Sequence, residues 1–417
     1  MSDHFTRLQQ YLAAELPDAI KLRRQLHQNP QLSGDEGNTC EQVLAALPHP
    51  EQVLRVAGTG ALLRVGGAGP AVAIRAELDA LAVFETTGVP WASINIGVMH
   101  ACGHDVHLAA LVALARAVHK VGGPLPLLAV LQPREETYPS GALEISESGL
   151  LTQEQARATV AAHVQPLLPA GSVACTPGGV NASSDEFTIT VRGSGGHAAY
   201  PHRAADPVIA LAHIVVALQT LVSRGIDPME QVVLSVTTLT AGSAANVIPD
   251  HAVARGTLRA MDGGIRRLML SRLVEVVDLV ARANGCIGGV EVTAGEPVLI
   301  NDQHIARATA TELQLLGLTV NDTLRSAGSD DFSYFSQQMP SLMMFVGTHG
   351  GDQQLHSSTF LPDDASVGDV ARALLAGYLG ACSTIRDRTD PAVSQPRSPQ
   401  RVVGDVEVQR FLRLGIT

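Results

Sequence analysis

Three largely apolar runs of strand length end in side chains that hold protons or metals. Ala71-Val72-Ala73-Ile74-Arg75-Ala76 delivers Glu77 and Asp79. Leu125 to Leu131 delivers Gln132-Pro133-Arg134-Glu135-Glu136, and Ala158 to Ala162 runs directly into His163. Continuous apolar runs, as opposed to alternation, mark strands buried on both faces by covering helices. In open α/β sheets the sites lie at the C-terminal ends of such strands. One polar strand end is ordinary, since loops are polar; three in succession predict convergence on one site.

A fourth stretch joins them. Met99-His100-Ala101-Cys102-Gly103-His104-Asp105-Val106-His107 packs three His, one Cys and one Asp into a short segment. Thiolate, imidazole and carboxylate are the side-chain types that bind transition metals. The segment leads into a helix expected over about 105–121, with Leu108, Leu111, Val112, Ala115 and Val118 on one face.

The chain of 417 residues is longer than one core usually covers. An opening helix over 5–28 stops at Pro30, and a second is expected at 36–47. After residue 184 the pattern changes to alternation, as in Phe187-Thr188-Ile189-Thr190-Val191. Strands and helices then follow in the order βαββαβ, a ferredoxin-like unit with its own core. The expected organisation is a first domain over 1–184 and 296–385, an inserted domain over 185–295, and a tail over 386–417. The tail is rich in Arg, Asp, Pro, Gln and Ser and reads as a linker, with a short element at 402–414.

Net charge is −11 with no dense basic patch, which argues against nucleic acid as a partner. The five cysteines (40, 102, 175, 286 and 382) are scattered and odd in number, as expected in a reducing compartment. There is no apolar signal region and no expected membrane span. A soluble cytoplasmic protein is the expectation.

The candidate metal donors are Cys102, His104, Glu136, His163 and His356. A single structural zinc needs four donors and leaves no open position. Five, with Glu135 adjacent, suit two divalent ions close together, as in two-metal hydrolases. Within the Glu135-Glu136 pair, one carboxylate would bind metal and its neighbour would move protons. Asp79 and Asp105 are expected to orient the donor histidines, with helix capping a second role for Asp105. In the inserted domain, Gly195-Gly196-His197 forms a Gly-rich turn, Asn246 lies in apolar surroundings, and Arg259 suits a substrate carboxylate.

Together, Met-His-Ala-Cys-Gly-His-Asp at 99–105, Gln-Pro-x-Glu-Glu at 132–136, Gly-Gly-His-Ala-Ala at 195–199, Asn-Val-Ile-Pro at 246–249, Gly-Ser-Asp-Asp-Phe-Ser at 328–333 and Leu-His-Ser at 355–357 carry a resemblance. The chain resembles the aminoacylase/carboxypeptidase clan of dinuclear metallopeptidases. More narrowly, it resembles the branch of hippurate hydrolases, auxin-conjugate hydrolases and bacterial N-acyl-amino-acid amidohydrolases. The resemblance implies a metallopeptidase-type α/β catalytic domain with an inserted lid domain that also dimerises. It implies two divalent ions per subunit, Zn2+ or Mn2+, on Cys102, His104, Glu136, His163 and His356, with Glu135 as general base. It implies His197 at the oxyanion, Asn246 and Arg259 on the substrate carboxylate, and Gly328 and Asp79 among the site residues.

The implied reaction is cleavage of a small-molecule N-acyl amino acid, with a dipeptidase or carboxypeptidase as the alternative. A non-catalytic metal-stabilised binding protein is a remote third. A zinc nucleobase deaminase lacks support, since its Pro-Cys-x-x-Cys signature is missing. Glu77, Gln31, Arg134, Thr137 to Ser140 and Asp330 depart from the usual family residues, but no expected donor or base is lost.

Overall fold

The computed structural model describes residues 2–348 and 354–389. Most of the expected loop Gly350 to Gln354, and the tail beyond Thr389 with its element at 402–414, lie outside the described residues. The chain divides into two compact units. The first holds residues up to Gly178, 300–324 and the described residues from Asp331. The second holds Gly179–Leu299 and Arg325–Asp330. The sequence reading placed 325–330 with the first domain. They group with the second because the Ala182 N–H is shared between the Ser326 and Gly328 carbonyls, 3.1 Å from each.

The first unit is built on an eight-stranded mixed sheet. Its strands are β1 (Leu54–Val56), β2 (Gly60–Val65), β3 (Ala71–Glu77), β4 (Leu127–Gln132), β5 (Ala156–Gln165), β6 (Ser172–Ala174), Thr319–Asn321 and Ser341–Gly347. The order is β1-β2-β4-β3-β5, then 341–347, β6 and 319–321. β3 runs parallel to both β4 and β5, and β5 parallel to 341–347. Every residue of β3, β4 and 341–347 is buried, which accounts for the unbroken apolar runs.

Helices α1 (Ser2–Gln28), α2 (Gly37–Ala46), α3 (His104–Val121) and α4 (Gly141–Glu147) and the helix Ala365–Thr389 belong to the same unit. α3 is buried over most of its length, and Val106, Leu111 and Leu114 are fully inside. Each such side chain contributes roughly 2 kcal/mol of burial. The closing helix was expected to end near 382 but continues to Thr389. Its charged last turn is anchored by Arg386 on the Pro124 carbonyl and Arg388 on Asp302. A charged surface turn is hard to tell from a linker by composition.

The second unit has an antiparallel sheet in the order 232–241, 251–260, 185–192, 287–294. Phe187, Ile189 and Val191 alternate inward and pack with the helices Pro207–Gly225 and Gly263–Ala283, so the expected βαββαβ order is present. Asp206 and Asp262 cap the two helices, accepting from the Val208 and Ile265 N–H groups. Pro207–Gly225 is long and apolar enough to cross a membrane by length and composition, a test that the core helix of a soluble protein also passes. Its Ala210, Leu211, Ile214, Leu218 and Leu221 fill the core of the unit.

Candidate metal centre and active site

The five expected donors meet in the first unit. His104 opens α3 directly after Gly103, whose φ of +83° favours glycine. A Cβ on Gly103 would come within 2.5 Å of Val164 on β5, so the Cys102-Gly103-His104 turn closes tightly onto that strand. Cys102 Sγ lies 3.3 Å from His163 Nε2. Reactive atoms of Cys102, His104 and Glu136 lie within 4.8 Å of one another. Glu136 Oε1 is 3.9 Å from His104 Nε2 and 3.4 Å from His356 Nε2. His163 sits inside β5, two residues before its end, where the sequence reading had it at the strand end. The strand continues because β5 stays paired with 341–347 through Gln165.

The donor rings are held by their far sides. His104 Nδ1 donates to the Asp79 carbonyl at 2.8 Å, and His163 Nδ1 donates to the Val164 carbonyl at 2.7 Å. Both tautomers are thereby fixed with the Nε2 lone pair facing the cluster, the usual arrangement for metal-binding histidines. His356 has a φ of +65°, a conformation that side chains rarely adopt, and its N–H bonds the Ala101 carbonyl at 2.9 Å.

The centre fits divalent metal. His104 Nε2 and Glu136 Oε1 are buried without a hydrogen-bond partner, a costly condition unless a cation joins them. Burial opposes a charge on His104, yet Asp79, Glu77 and Glu136 outweigh it and push its pKa up to about 10. Burial and then Glu136, Glu135 and Glu77 push the Cys102 thiol well up. After burial, both carry the mark of excess negative charge, which a bound ion would neutralise. Glu135 Oε2 is 3.9 Å from His104 Nε2, so both members of the Glu pair face the same ring.

A second buried cluster, Glu77, His104, His107 and His163, also has metal-like spacing. His107 has no lone pair to offer it. Its Nδ1 is 2.9 Å from Glu77 and its Nε2 accepts the Val164 N–H at 3.0 Å. Burial would raise the Glu77 carboxyl, but Arg75 and His107 pull it well below its ordinary value.

A model of the peptidase family M20/M25/M40 matches residues 73–376. This chain belongs to that family. The N-acetyl-L-cysteine deacetylase of Bacillus subtilis is 35% identical, over 84% of this chain and 84% of that protein. The N-acetyldiaminopimelate deacetylase of the same organism is 34% identical, over 87% and 98%. Among solved structures, the Bacillus subtilis YXEP protein, described as a dinuclear metal binding peptidase from the M20 family, is similar with a TM-score of 0.77. It is 28% identical, with 90% of this chain and 99% of that chain covered.

In this M20 chain two expectations need correction. Asp105 neither orients a donor histidine nor caps α3, whose start has no side-chain cap. Its Oδ2 accepts from Arg23 Nε at 2.7 Å and lies 2.9 Å from His27 Nδ1. The basic partners on α1 outcompete the helix N–H groups because they are buried charges. Asp79 does meet His104, but through its carbonyl; its carboxylate accepts the Glu136 N–H at 2.9 Å and the Ser33 hydroxyl at 2.7 Å. His100 packs with both ring nitrogens unpartnered, and burial pushes its pKa down to about 3.

Three of the residues that depart from the expected family pattern have local partners. Arg134 pairs with Glu144, and Ser140 donates to Asp331 at 2.7 Å. Gln31 accepts the Thr39 N–H at 2.7 Å in the first turn of α2. The roles of Glu77 and His107 were missed, although His107 follows His104 by three residues, a same-face spacing on a helix.

The remaining expected residues lie in the second unit. His197 pairs with Val247 in a short two-stranded ribbon, and the Ala198 N–H bonds the Asn246 carbonyl at 3.0 Å. His197 Nδ1 accepts the Ala199 N–H at 3.1 Å, which leaves the proton on Nε2. Arg259 Nη1 donates to the Ala327 carbonyl at 3.0 Å, next to Gly328, whose N–H bonds Ser326 Oγ at 3.0 Å.

Proposed function

We propose that this M20 protein is a metal-dependent amidohydrolase that cleaves the amide bond of small N-acyl amino acids, giving a carboxylic acid and a free amino acid. The observation that carries this reading is the pairing of Glu135 with Glu136 at one donor ring. Glu136 is read as a donor with Cys102, His104, His163 and His356, while Glu135, within reach of the same donor ring, is read as the proton carrier. The names of the deacetylase relatives support the substrate class.

Those five donors would hold two divalent ions, Zn2+ or Mn2+, which would supply Lewis acidity there, lowering the pKa of a water and polarising the scissile carbonyl. Zinc is favoured by the Cys102 thiolate. Glu135 accepts the proton of the attacking water and returns it to the departing amine. His197, protonated at Nε2, donates to the developing oxyanion. Arg259 keeps most of its donor fork for the substrate carboxylate, with Asn246 and Gly328 beside it in role. Asp79 fixes both a donor ring and the Glu136 backbone.

We further read the protein as a cytoplasmic homodimer, joined through the second unit as a lid and dimerisation domain. The exposed Val208, Ile209 and Val216 on Pro207–Gly225 support a covered face there. A panel of N-acetyl amino acids and dipeptides, run with metal analysis of the purified protein, tests the reading. Turnover of the N-acyl series is expected; preference for dipeptides points to the peptidase alternative, and no turnover with metal bound points to a binding protein.

A further inference from the structure

The peptide segment that carries Glu135 is held at both ends by buried carboxylates. Asp79 Oδ2 accepts the N–H of Glu136, immediately after it, at 2.9 Å. Glu36 Oε1 accepts the N–H of Arg134, immediately before it, also at 2.9 Å. Glu36 is fully buried, and its second oxygen takes the Thr59 hydroxyl at 2.6 Å.

The placement of Glu36 is unusual for its position. It is the N-cap residue of α2, yet its side chain makes no capping bond. Gln31 supplies that bond through Thr39, so the Glu36 carboxylate is spent on Arg134. Arg134 in turn has a φ of +50°, a conformation costing roughly 1–2 kcal/mol for an L residue. The surroundings hold it there. The Arg134 carbonyl accepts the Gly141 N–H at 3.2 Å, and a Cβ on Gly141 would come within 1.9 Å of the Pro133 carbonyl. Its guanidinium is turned to Glu144 and the Ala57 carbonyl. A strained residue fixed on both peptide faces, directly before a proton-carrying side chain, is a device for aiming that side chain.

We propose that Glu36 is a positioning residue for Glu135, acting through the Arg134 N–H. The proposal rests on the reading of Glu135 as the proton carrier. A misplacement of about 1 Å at such a group can cost on the order of a hundredfold in rate.

The test compares Glu36→Ala, Glu36→Gln and Glu36→Asp in the full-length metal-loaded enzyme, with metal content and metal affinity measured alongside kinetics. Glu36→Ala is expected to lower kcat about ten- to a hundredfold, with KM, metal content and metal affinity close to wild type. Glu36→Gln keeps an oxygen for the Arg134 N–H and can donate to Thr59, so kcat should stay within about threefold. Glu36→Asp, one methylene shorter, should lose kcat and decides the matter if the alanine variant is insoluble. In a Glu135→Gln background, adding Glu36→Ala should cost no more than about twofold, since both changes act on one group.

The proposal is overturned if Glu36→Ala and Glu36→Asp keep kcat within twofold of wild type. It is equally overturned if Glu36→Gln loses as much as Glu36→Ala together with metal, or if the Glu36 and Glu135 losses multiply. Full turnover by Glu135→Gln alone would instead remove the underlying reading of Glu135, whatever the Glu36 variants do.

Discussion

The backbone carbonyl of Asp79, and not its carboxylate, accepts the Nδ1–H of His104 at 2.8 Å. The nearer carboxylate oxygen, Oδ1, is 3.6 Å from that nitrogen, beyond a hydrogen bond. The carboxylate is therefore available for the Glu136 N–H and the Ser33 hydroxyl. Burial would raise its pKa, but His104 and these donors bring it below the usual value.

This division predicts unequal effects at Asp79. Asp79→Asn keeps the carbonyl and one acceptor for the Glu136 N–H, so metal content should be retained and activity should fall less than about tenfold. Asp79→Ala leaves the Glu136 backbone unheld and should cost about 10- to 100-fold in metal affinity or activity, as groups behind metal ligands do. Metal titration and kcat/KM on the two variants check the order. Equal losses would mean the charge itself matters.

Glu77 joins Arg75 to His107, and His107 in turn holds the Val164 N–H beside His163. All three side chains are buried. Glu77→Ala leaves the His107 Nδ1–H without its acceptor in the interior, while Arg75 keeps Asp331 at 2.8 Å and Gln132 at 2.7 Å, so the loss should be about 1–3 kcal/mol of unfolding free energy. Urea denaturation measures it. Glu77→Asp should cost less because it keeps the charge.

Much of this was legible in the chain itself. The strand ends and the Cys102–His104 turn could be read because unbroken apolar runs mark buried strands, and polar residues at their ends have few reasons to be there. The βαββαβ order was legible from the switch to alternation near Phe187. Three kinds of feature were not. Asp105 finds Arg23 and His27 across 82 and 78 residues of sequence, and no local pattern reports such a pairing. β6 and the strand Thr319–Asn321 have three residues each, too few to show a period. Glu36 stands at the expected start of the helix at 36–47, where no local pattern reports burial, yet its carboxylate is buried against the 133–134 backbone.

Acid should weaken the network around His27. Burial would raise the Glu85 pKa, but its bonds to His27, Thr87 and the Ser93 N–H lower it from 4.5 to about 2. A depressed folded pKa gives stability that is present above the unfolded value and lost as pH falls toward the folded one. The stability advantage of wild type over Glu85→Gln should therefore be full at neutral pH, shrink below about pH 4.5 and vanish near pH 2. Urea midpoints of both proteins across that range test the sign; an advantage that grows with acidification would contradict it.

The central claim is that Glu135 carries protons while Glu136 and its four companions hold metal. The most direct measurement is single-substrate kinetics of Glu135→Gln on an N-acetyl amino acid, with metal content determined on the same sample. Loss of kcat by about 10²- to 10⁴-fold, the span general acid–base groups contribute, with both metals retained is the predicted result. Wild-type turnover by the metal-loaded variant would contradict the account.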